Sequence, residues 1–233
     1  MTHDAARNVA RGYFITGTDT GVGKTLVACA LLHAFARAGQ RVVGMKPVAA
    51  GSVRGAEGPV NDDVAQLCAA SNVICGLKLV NPYCFEPAIA PHLAAALAGV
   101  TIDINEIMRS YALLAAQADK VIVEGVGGFC VPLNRHEDTA DLAHGLGLPV
   151  IMVVGVRLGC LNHALLTARE IRARGLKLAG WIANRIDPAM PASGDNIAAL
   201  TERLDAPLLG ALRFAPAPDA QRIAAHLDLS HLG

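Results

Sequence analysis

One run of nine residues constrains this chain more than any other: Gly17, Thr18, Asp19, Thr20, Gly21, Val22, Gly23, Lys24 and Thr25. It lies between a short apolar segment at residues 13–16 and an amphipathic stretch at residues 25–38. A glycine-rich turn that enters a helix from a strand aims backbone N–H groups, and the positive end of the helix dipole, at an anion. The common phosphate loop places four residues between its first glycine and the closing Gly-Lys-[Ser/Thr]. Here five residues separate Gly17 from Gly23. The chemistry still suits the phosphates of a nucleoside triphosphate. Gly21, Val22, Gly23, Lys24, Thr25 and Leu26 would line it; Lys24 would reach the β- and γ-phosphates and the Thr25 hydroxyl a Mg2+ ion. A glycine turn entering a helix by chance is the plain alternative, but the strand-to-helix setting is what gives this pattern its meaning.

Apolar and amphipathic stretches alternate along the rest of the chain. Strands are expected at residues 42–46, 121–124, 150–155, 178–183 and 207–209, and helices at 62–70, 103–117, 162–174 and 196–204. Gly39 and Gly175 each follow a helical stretch, where a left-handed residue ends helices. This alternation predicts an α/β fold: one P-loop NTPase-type domain over residues 1–233, with a parallel sheet and helices on both faces. The Val/Ile runs are continuous, as strands buried on both sides require. Residues 146–156 read as one such strand, since glycine and proline interrupt a run well short of the ~18 residues of a membrane span. Residues 1–11 carry Asp4, Arg7 and Arg11 and no apolar core, so they read as a flexible N-terminal tail rather than a secretion signal. Residues 51–59 are glycine-rich and read as a mobile loop. In open parallel sheets ligands sit beyond the carboxyl ends of the strands, and functional residues are expected there.

Composition narrows the function classes. Twenty basic residues balance twenty acidic ones, and aromatic residues make up 4 % of the chain. Neither a basic surface nor stacking rings for nucleic acid are implied, and no membrane partner is expected. The cysteines Cys29, Cys68, Cys75, Cys84, Cys130 and Cys160 form no C-x-x-C pair and no zinc spacing. They read as the reduced thiols of a cytoplasmic protein.

Three further sites carry charge next to strands. Lys46 closes the run at 42–46, in Gly-Met-Lys-Pro-Val. A lysine there is often a snorkelling surface residue; the alternative is a phosphate-facing cation, if this strand neighbours the phosphate-loop strand. Asp62 and Asp63 begin a helix, where one can cap the helix and the other hold Mg2+. Glu124 ends Val-Ile-Val-Glu and precedes Gly125, Val126, Gly127 and Gly128. An acid ending a buried strand commonly helps to hold the metal, and the glycines admit a ligand close to the backbone. Thr25, Asp63 and Glu124 together offer the hard oxygens that Mg2+ prefers.

The extended phosphate loop, the Lys46-Pro47-Val48 strand end, Glu124-Gly125-Val126-Gly127-Gly128, the run Arg157-Leu158-Gly159-Cys160-Leu161-Asn162-His163 and Gly180-Trp181-Ile182-Ala183-Asn184 occur in the order of the dethiobiotin synthetase family. The chain resembles that family over roughly residues 12–215. The resemblance implies a small ATP- and Mg2+-dependent enzyme of biotin biosynthesis. Its substrates would be 7,8-diaminopelargonic acid, CO2 and ATP. One amine captures CO2 as a carbamate, ATP phosphorylates the carbamate, and the second amine closes the ureido ring. By the same resemblance Lys46 and Lys24 are catalytic, Thr20 contacts substrate or phosphate, and Asn184 bonds the purine. Ala50 stands where a substrate-contacting serine is frequent. Gly159, Cys160, Leu161 and Asn162 open a helix whose N-terminus receives the substrate carboxylate held by the other subunit, so a homodimer is implied. From the residues alone, Gly159 and Asn162 read simply as a turn and an N-cap.

The chain departs from the family pattern at Ala50, at Gly21, where many relatives carry Glu, near Arg213, where a proline is common, and near Asn196, where some place a tyrosine. Two other readings remain. Related amidoligases carry a glutamine amidotransferase domain, for which 233 residues leave no room. Related nucleotide switches carry a dimer-crossing lysine where Asp19 stands and often a membrane-targeting helix.

Overall fold

The computed structural model describes residues 12–55 and 58–232; the expected tail at 1–11 lies outside them. The strands, in chain order, are β1 (Gly12–Gly17), β2 (Val42–Met45), β3 (Val48–Ala50), β4 (Val53–Gly55), β5 (Gly58–Val60), β6 (Tyr83–Phe85), β7 (Lys120–Glu124), β8 (Val150–Val156), β9 (Leu178–Arg185) and β10 (Leu208–Leu212). The helices are α1 (Lys24–Arg37), α2 (Asp62–Ala70), α3 (Leu77–Val80), α4 (Pro91–Leu97), α5 (Ile104–Ala115), α6 (Thr139–Leu146), α7 (Cys160–Ala173), α8 (Ser193–Arg203) and α9 (Ala220–Ala224).

Six strands form one sheet in the order β10-β9-β8-β1-β7-β2, and every neighbouring pair is parallel. Successive side chains leave a strand on opposite faces, and β1 shows the consequence. Phe14 packs with Val123, Val150 and Trp181 on one face, while Ile15 packs with Ile122, Val153 and Leu31 on the other. Both faces of the sheet are therefore apolar, and helices cover both. Helices α1 and α9 lie on the Ile15 face, and α5, α6, α7 and α8 on the Phe14 face. Each buried Val, Leu, Ile or Phe contributes ~1.5–3 kcal/mol of transfer free energy.

Four expectations change. Strand β2 does not neighbour β1, because β7 lies between them. Strands lie ~4.8 Å apart, and a lysine side chain is long enough to bridge one. The run at 146–156 is divided: Leu146 ends α6, Gly147 turns the chain at φ 63°, and β8 begins at Val150. The loop at 51–59 contains an antiparallel hairpin, β4 on β5, with Val53 opposite Val60. Finally, β9 runs two residues further than expected, so Asn184 is inside the strand rather than after it. No helix among the described residues is long and apolar enough to cross a membrane.

Candidate active site

The phosphate loop leaves β1 at the centre of the sheet, where its neighbours hold it from both sides. Thr18 N–H donates to the Val153 carbonyl on β8 at 3.0 Å. Gly23 is the residue before α1 and sits at φ 93°. A Cβ there would lie 2.4 Å from Asn184 Nδ2, so both backbone and space demand glycine. That same Asn184 nitrogen donates to the Val22 carbonyl at 2.9 Å. Asn184 is thus brought to the loop, with its amide nitrogen engaged on loop backbone. Gly21 adopts φ 73°, and a Cβ there would meet nothing within 4 Å, so a side chain at this position has open space but a strained backbone. Leu26 follows in the first turn of α1, half-buried.

Lys24 is buried. Its Nζ donates to the Asp19 carbonyl at 3.1 Å. Burial, with Lys46 nearby, brings its ammonium down to about 8 from 10.5, against the pull of Glu124 and Asp63.

Lys46 leaves the end of β2 and reaches the end of β7. It is 3 % exposed, and Glu124 is 1 % exposed. Lys46 Nζ lies 2.6 Å from Glu124 Oε1, 2.9 Å from Asp63 Oδ2 and 3.3 Å from the Gly125 carbonyl. The snorkelling alternative is excluded. Thr25 Oγ1 donates to the same Glu124 Oε1 at 2.9 Å. Four predicted residues, on α1, β7 and α2 and at the end of β2, thus converge, with Thr25 and Lys46 on the Glu124 carboxylate and Asp63 on Lys46. Burial alone would neutralise Lys46, but the two carboxylates hold its proton above the ordinary lysine range. Complete burial pushes the Glu124 carboxyl up, and Lys46 only partly offsets it. At Asp63 burial is overcome by the charge and hydrogen bond of Lys46, and the carboxyl is held below its usual range.

Asp63 is placed by a cap that the sequence reading missed. Asn61, not Asp62, is the N-cap of α2: its Oδ1 accepts from Asp63 N at 3.1 Å and Val64 N at 3.3 Å. Asp62 is exposed in the first turn. The Asn-Asp-Asp order was the available signal.

The donor set fits Mg2+. Thr25, Asp63 and Glu124 are hard oxygens, and Glu124 Oε2 is buried with no hydrogen-bond partner among the described residues. Only two of the three are carboxylates, and no group of three or more His, Cys, Asp or Glu assembles as a metal centre among the described residues. Phosphate oxygens and water ordinarily complete such a shell.

Beyond Glu124, Gly127 sits at φ 64°, and a Cβ there would meet Val131 at 2.9 Å and Thr20 Oγ1 at 3.7 Å. Thr20 is therefore near the Gly125-Val126-Gly127 turn. Ala50 ends β3, half-buried, opposite Phe85. The turn after β8 is open: Arg157, Leu158, Gly159 and Asn162 are exposed. Gly159 at φ 92° is the N-cap of α7, which makes Asn162 a first-turn residue rather than a cap. The Cys160 side chain is buried in the core and its N–H donates to the Arg157 carbonyl at 3.0 Å. It offers a ligand little, whereas Leu161 and Asn162 lie in the first turn, whose N–H groups helices leave unused. A cavity of about 620 Å3 lies past β10, lined by Leu212, Arg213, Asp219 and Arg222 among others; Leu212 is the register partner of Asn184. The cysteines are all unpaired, and burial pushes the Cys29 thiol up to about 12, so it is inert as a nucleophile.

Fold and site together define a P-loop nucleotide-binding protein. A family model described as an AAA domain matches residues 11–222. Solved structures agree on the fold. MinD complexed with Mg-ADP from Pyrococcus horikoshii superposes with a TM-score of 0.53 at 16 % identity, over 95 % of this chain and 89 % of that one. A ParA family ATPase from Chlorobium tepidum gives 0.51 at 13 % identity, over 89 % and 86 %. Two curated relatives are far nearer in sequence, and both are named ATP-dependent dethiobiotin synthetase BioD. The one from Nitrosospira multiformis is 54 % identical over 97 % of this chain and 98 % of its own length. The one from Aromatoleum aromaticum is 58 % identical over 94 % and 97 %. The chain belongs to the ATP-dependent dethiobiotin synthetase family.

Proposed function

We propose that this protein is a cytoplasmic, homodimeric ligase that carboxylates 7,8-diaminopelargonic acid with CO2 and closes its ureido ring, converting ATP to ADP and phosphate. The observation that carries the reading is the convergence of Lys46, Glu124, Asp63 and Thr25 beside Lys24, at the carboxyl ends of β1, β2 and β7. The chemistry needs no protein nucleophile. A carbamate oxygen attacks the γ-phosphorus, ADP leaves, and a carbamic–phosphoric anhydride forms. The second amine then attacks the carbonyl carbon and loses a proton; the new C–N bond forms as phosphate departs. Such transfers rest on positioning and charge neutralisation.

Each residue has a role in that scheme. Lys24 binds the β- and γ-phosphates. Lys46 lies beside the transferring group and stabilises negative charge on the carbamate and phosphoryl oxygens. Thr20 and Ala50 face substrate. Thr25, Asp63 and Glu124 hold Mg2+, which when bound neutralises phosphate charge. Gly21, Val22, Gly23 and Leu26 wrap the phosphates, and Gly125, Val126 and Gly127 admit the nucleotide close to the backbone. Asn184 and the cavity beyond β10 receive the base. The first turn of α7, from Gly159 to Asn162, binds the carboxylate tail of substrate held by a second copy. Leu158 is 93 % exposed on that turn, an apolar contact point that supports the dimer.

The test is phosphate release from MgATP and bicarbonate, with and without the diamine. Strict diamine dependence with a cyclic urea detected by mass supports the reading. Diamine-independent hydrolysis, or none, removes the substrate assignment.

A further inference from the structure

Arg157 has no part in the scheme above, yet it is tied to the phosphate loop. Its Nη2 hydrogen-bonds Asp19 Oδ2. The other oxygen of that carboxylate, Oδ1, accepts the Thr20 N–H at 2.7 Å. The Asp19 carbonyl accepts Lys24 Nζ at 3.1 Å. One residue of the loop thus engages a guanidinium, the next backbone amide and the phosphate-binding ammonium at once. Arg157 is in turn anchored, because its carbonyl accepts the Cys160 N–H at 3.0 Å. Nearby, Gly155 N–H reaches Thr18 Oγ1 at 3.4 Å. The end of β8 therefore grips the loop through both Thr18 and Asp19.

Both partners are about half exposed. An exposed ion pair contributes little to global stability, and a stability role is a poor account of it. Its local effect is larger. The Asp19–Thr20–Gly21 turn passes through Gly21 at φ 73° with open space where a side chain would stand, and Thr20 and Gly21 are exposed, so this stretch depends on few packing contacts. Without the guanidinium, the Asp19 carboxylate and the carbonyl that holds Lys24 lose their outer anchor.

We propose that Arg157 is a positioning residue for nucleotide binding: through Asp19 it fixes the loop carbonyl that orients Lys24. Arg157 does not need to touch the nucleotide. The proposal rests on the nucleotide-binding part of the function above and is independent of the second substrate.

The experiment is a double-mutant cycle with MgATP affinity measured by calorimetry, so its outcome does not depend on turnover. Asp19→Asn keeps an oxygen for the Thr20 N–H but removes the charge. Arg157→Gln and Asp19→Asn should each weaken MgATP about tenfold, 1.4 kcal/mol being tenfold, with melting temperatures unchanged. The double variant should be no weaker than the worse single one, because both remove the same contact. Arg157→Lys should recover part of the affinity and guards against an Arg157→Gln variant that fails to fold. Wild-type affinity in Arg157→Gln overturns the proposal. So does additivity, about a hundredfold in the double variant, since it means that Arg157 acts on the nucleotide directly. If the wild type binds MgATP but shows no diamine-dependent turnover, the substrate assignment falls and this cycle still stands.

Discussion

The sheet divides at β1 into two halves that differ in how far their charges are already joined. On the β7–β2 side, Lys46 and Glu124 are paired and withdrawn from water, Asp63 pairs with Lys46 from a half-buried position, and Thr25 completes the set. On the β8–β9–β10 side, the candidate groups lie on an exposed turn, at a strand-borne asparagine and around an open cavity. Under the proposed function the first half acts on the transferring phosphoryl group, where misplacement by an ångström costs most. On the same proposal the second receives the base and the substrate tail, where access matters more than rigidity. Paired, buried charge and open surface thus lie on opposite sides of a single strand.

The difference is broken most directly at Lys46. Lys46→Ala should lose turnover by ~10²-fold or more. It should also lower the melting temperature, since stranding one member of a buried pair costs ~3–5 kcal/mol. Wild-type turnover in the folded variant would show that the joined half is merely structural. Next in size, Glu124→Gln and Asp63→Asn should each raise the Mg2+ concentration for half-maximal activity by about tenfold or more. Titrating Mg2+ at saturating ATP measures this, and an unchanged requirement removes both from the metal shell.

A smaller effect follows from Lys24. Its ammonium titrates at about 8 in the folded protein, below its ordinary 10.5. Above pH 8 the protein alone carries a neutral Lys24, and bound phosphates demand the cation. ATP affinity should therefore fall by up to about tenfold per pH unit above 8, with proton uptake visible in calorimetry across buffers. The sign for folding is the reverse: between about 8 and 10.5 the unfolded chain binds the extra proton, so this residue's contribution to stability rises with pH. Affinity that stays flat from pH 7 to 9.5 contradicts a buried, depressed Lys24. The smallest effect belongs to the open half. Leu158→Ser should change the stability of the single chain by less than ~0.5 kcal/mol, yet weaken self-association in sedimentation runs. An unaltered dimer would separate this turn from the interface.

The same division governs what is legible in the sequence. Strand positions and the helix at 62–70 are readable because apolar runs and capping residues are local signals. The short helices α3, α4, α6 and α9 and the strands β3 and β6 are not, for they are three to eight residues long and take their shape from tertiary packing. Lys46, Asp63, Glu124 and Thr25 stand out by residue type at element ends. Their meeting point does not, because strand order is a non-local property and β7 comes between β1 and β2. Arg157 lies within a recognisable motif but has no role that its neighbours in sequence suggest; only the fold brings it to Asp19, 138 residues earlier. Asn61 is easily overlooked because two aspartates beside it offer a more obvious cap.

The place of β7 between β1 and β2 also sets an order of events for a growing chain. Strands β1 and β2 are made first but cannot pair with each other in the final register. The slot between them waits for residues 120–124, so Lys46 meets Glu124 only after 78 further residues have been added. Closing so long a loop is slow relative to forming helices. Until then Lys46 has no Glu124 to pair with, and the charge cluster lacks its buried carboxylate. Insertion of one five-residue strand joins β1 to β2 and brings Lys46 to Glu124, so this half of the sheet and its charge cluster are completed in the same step.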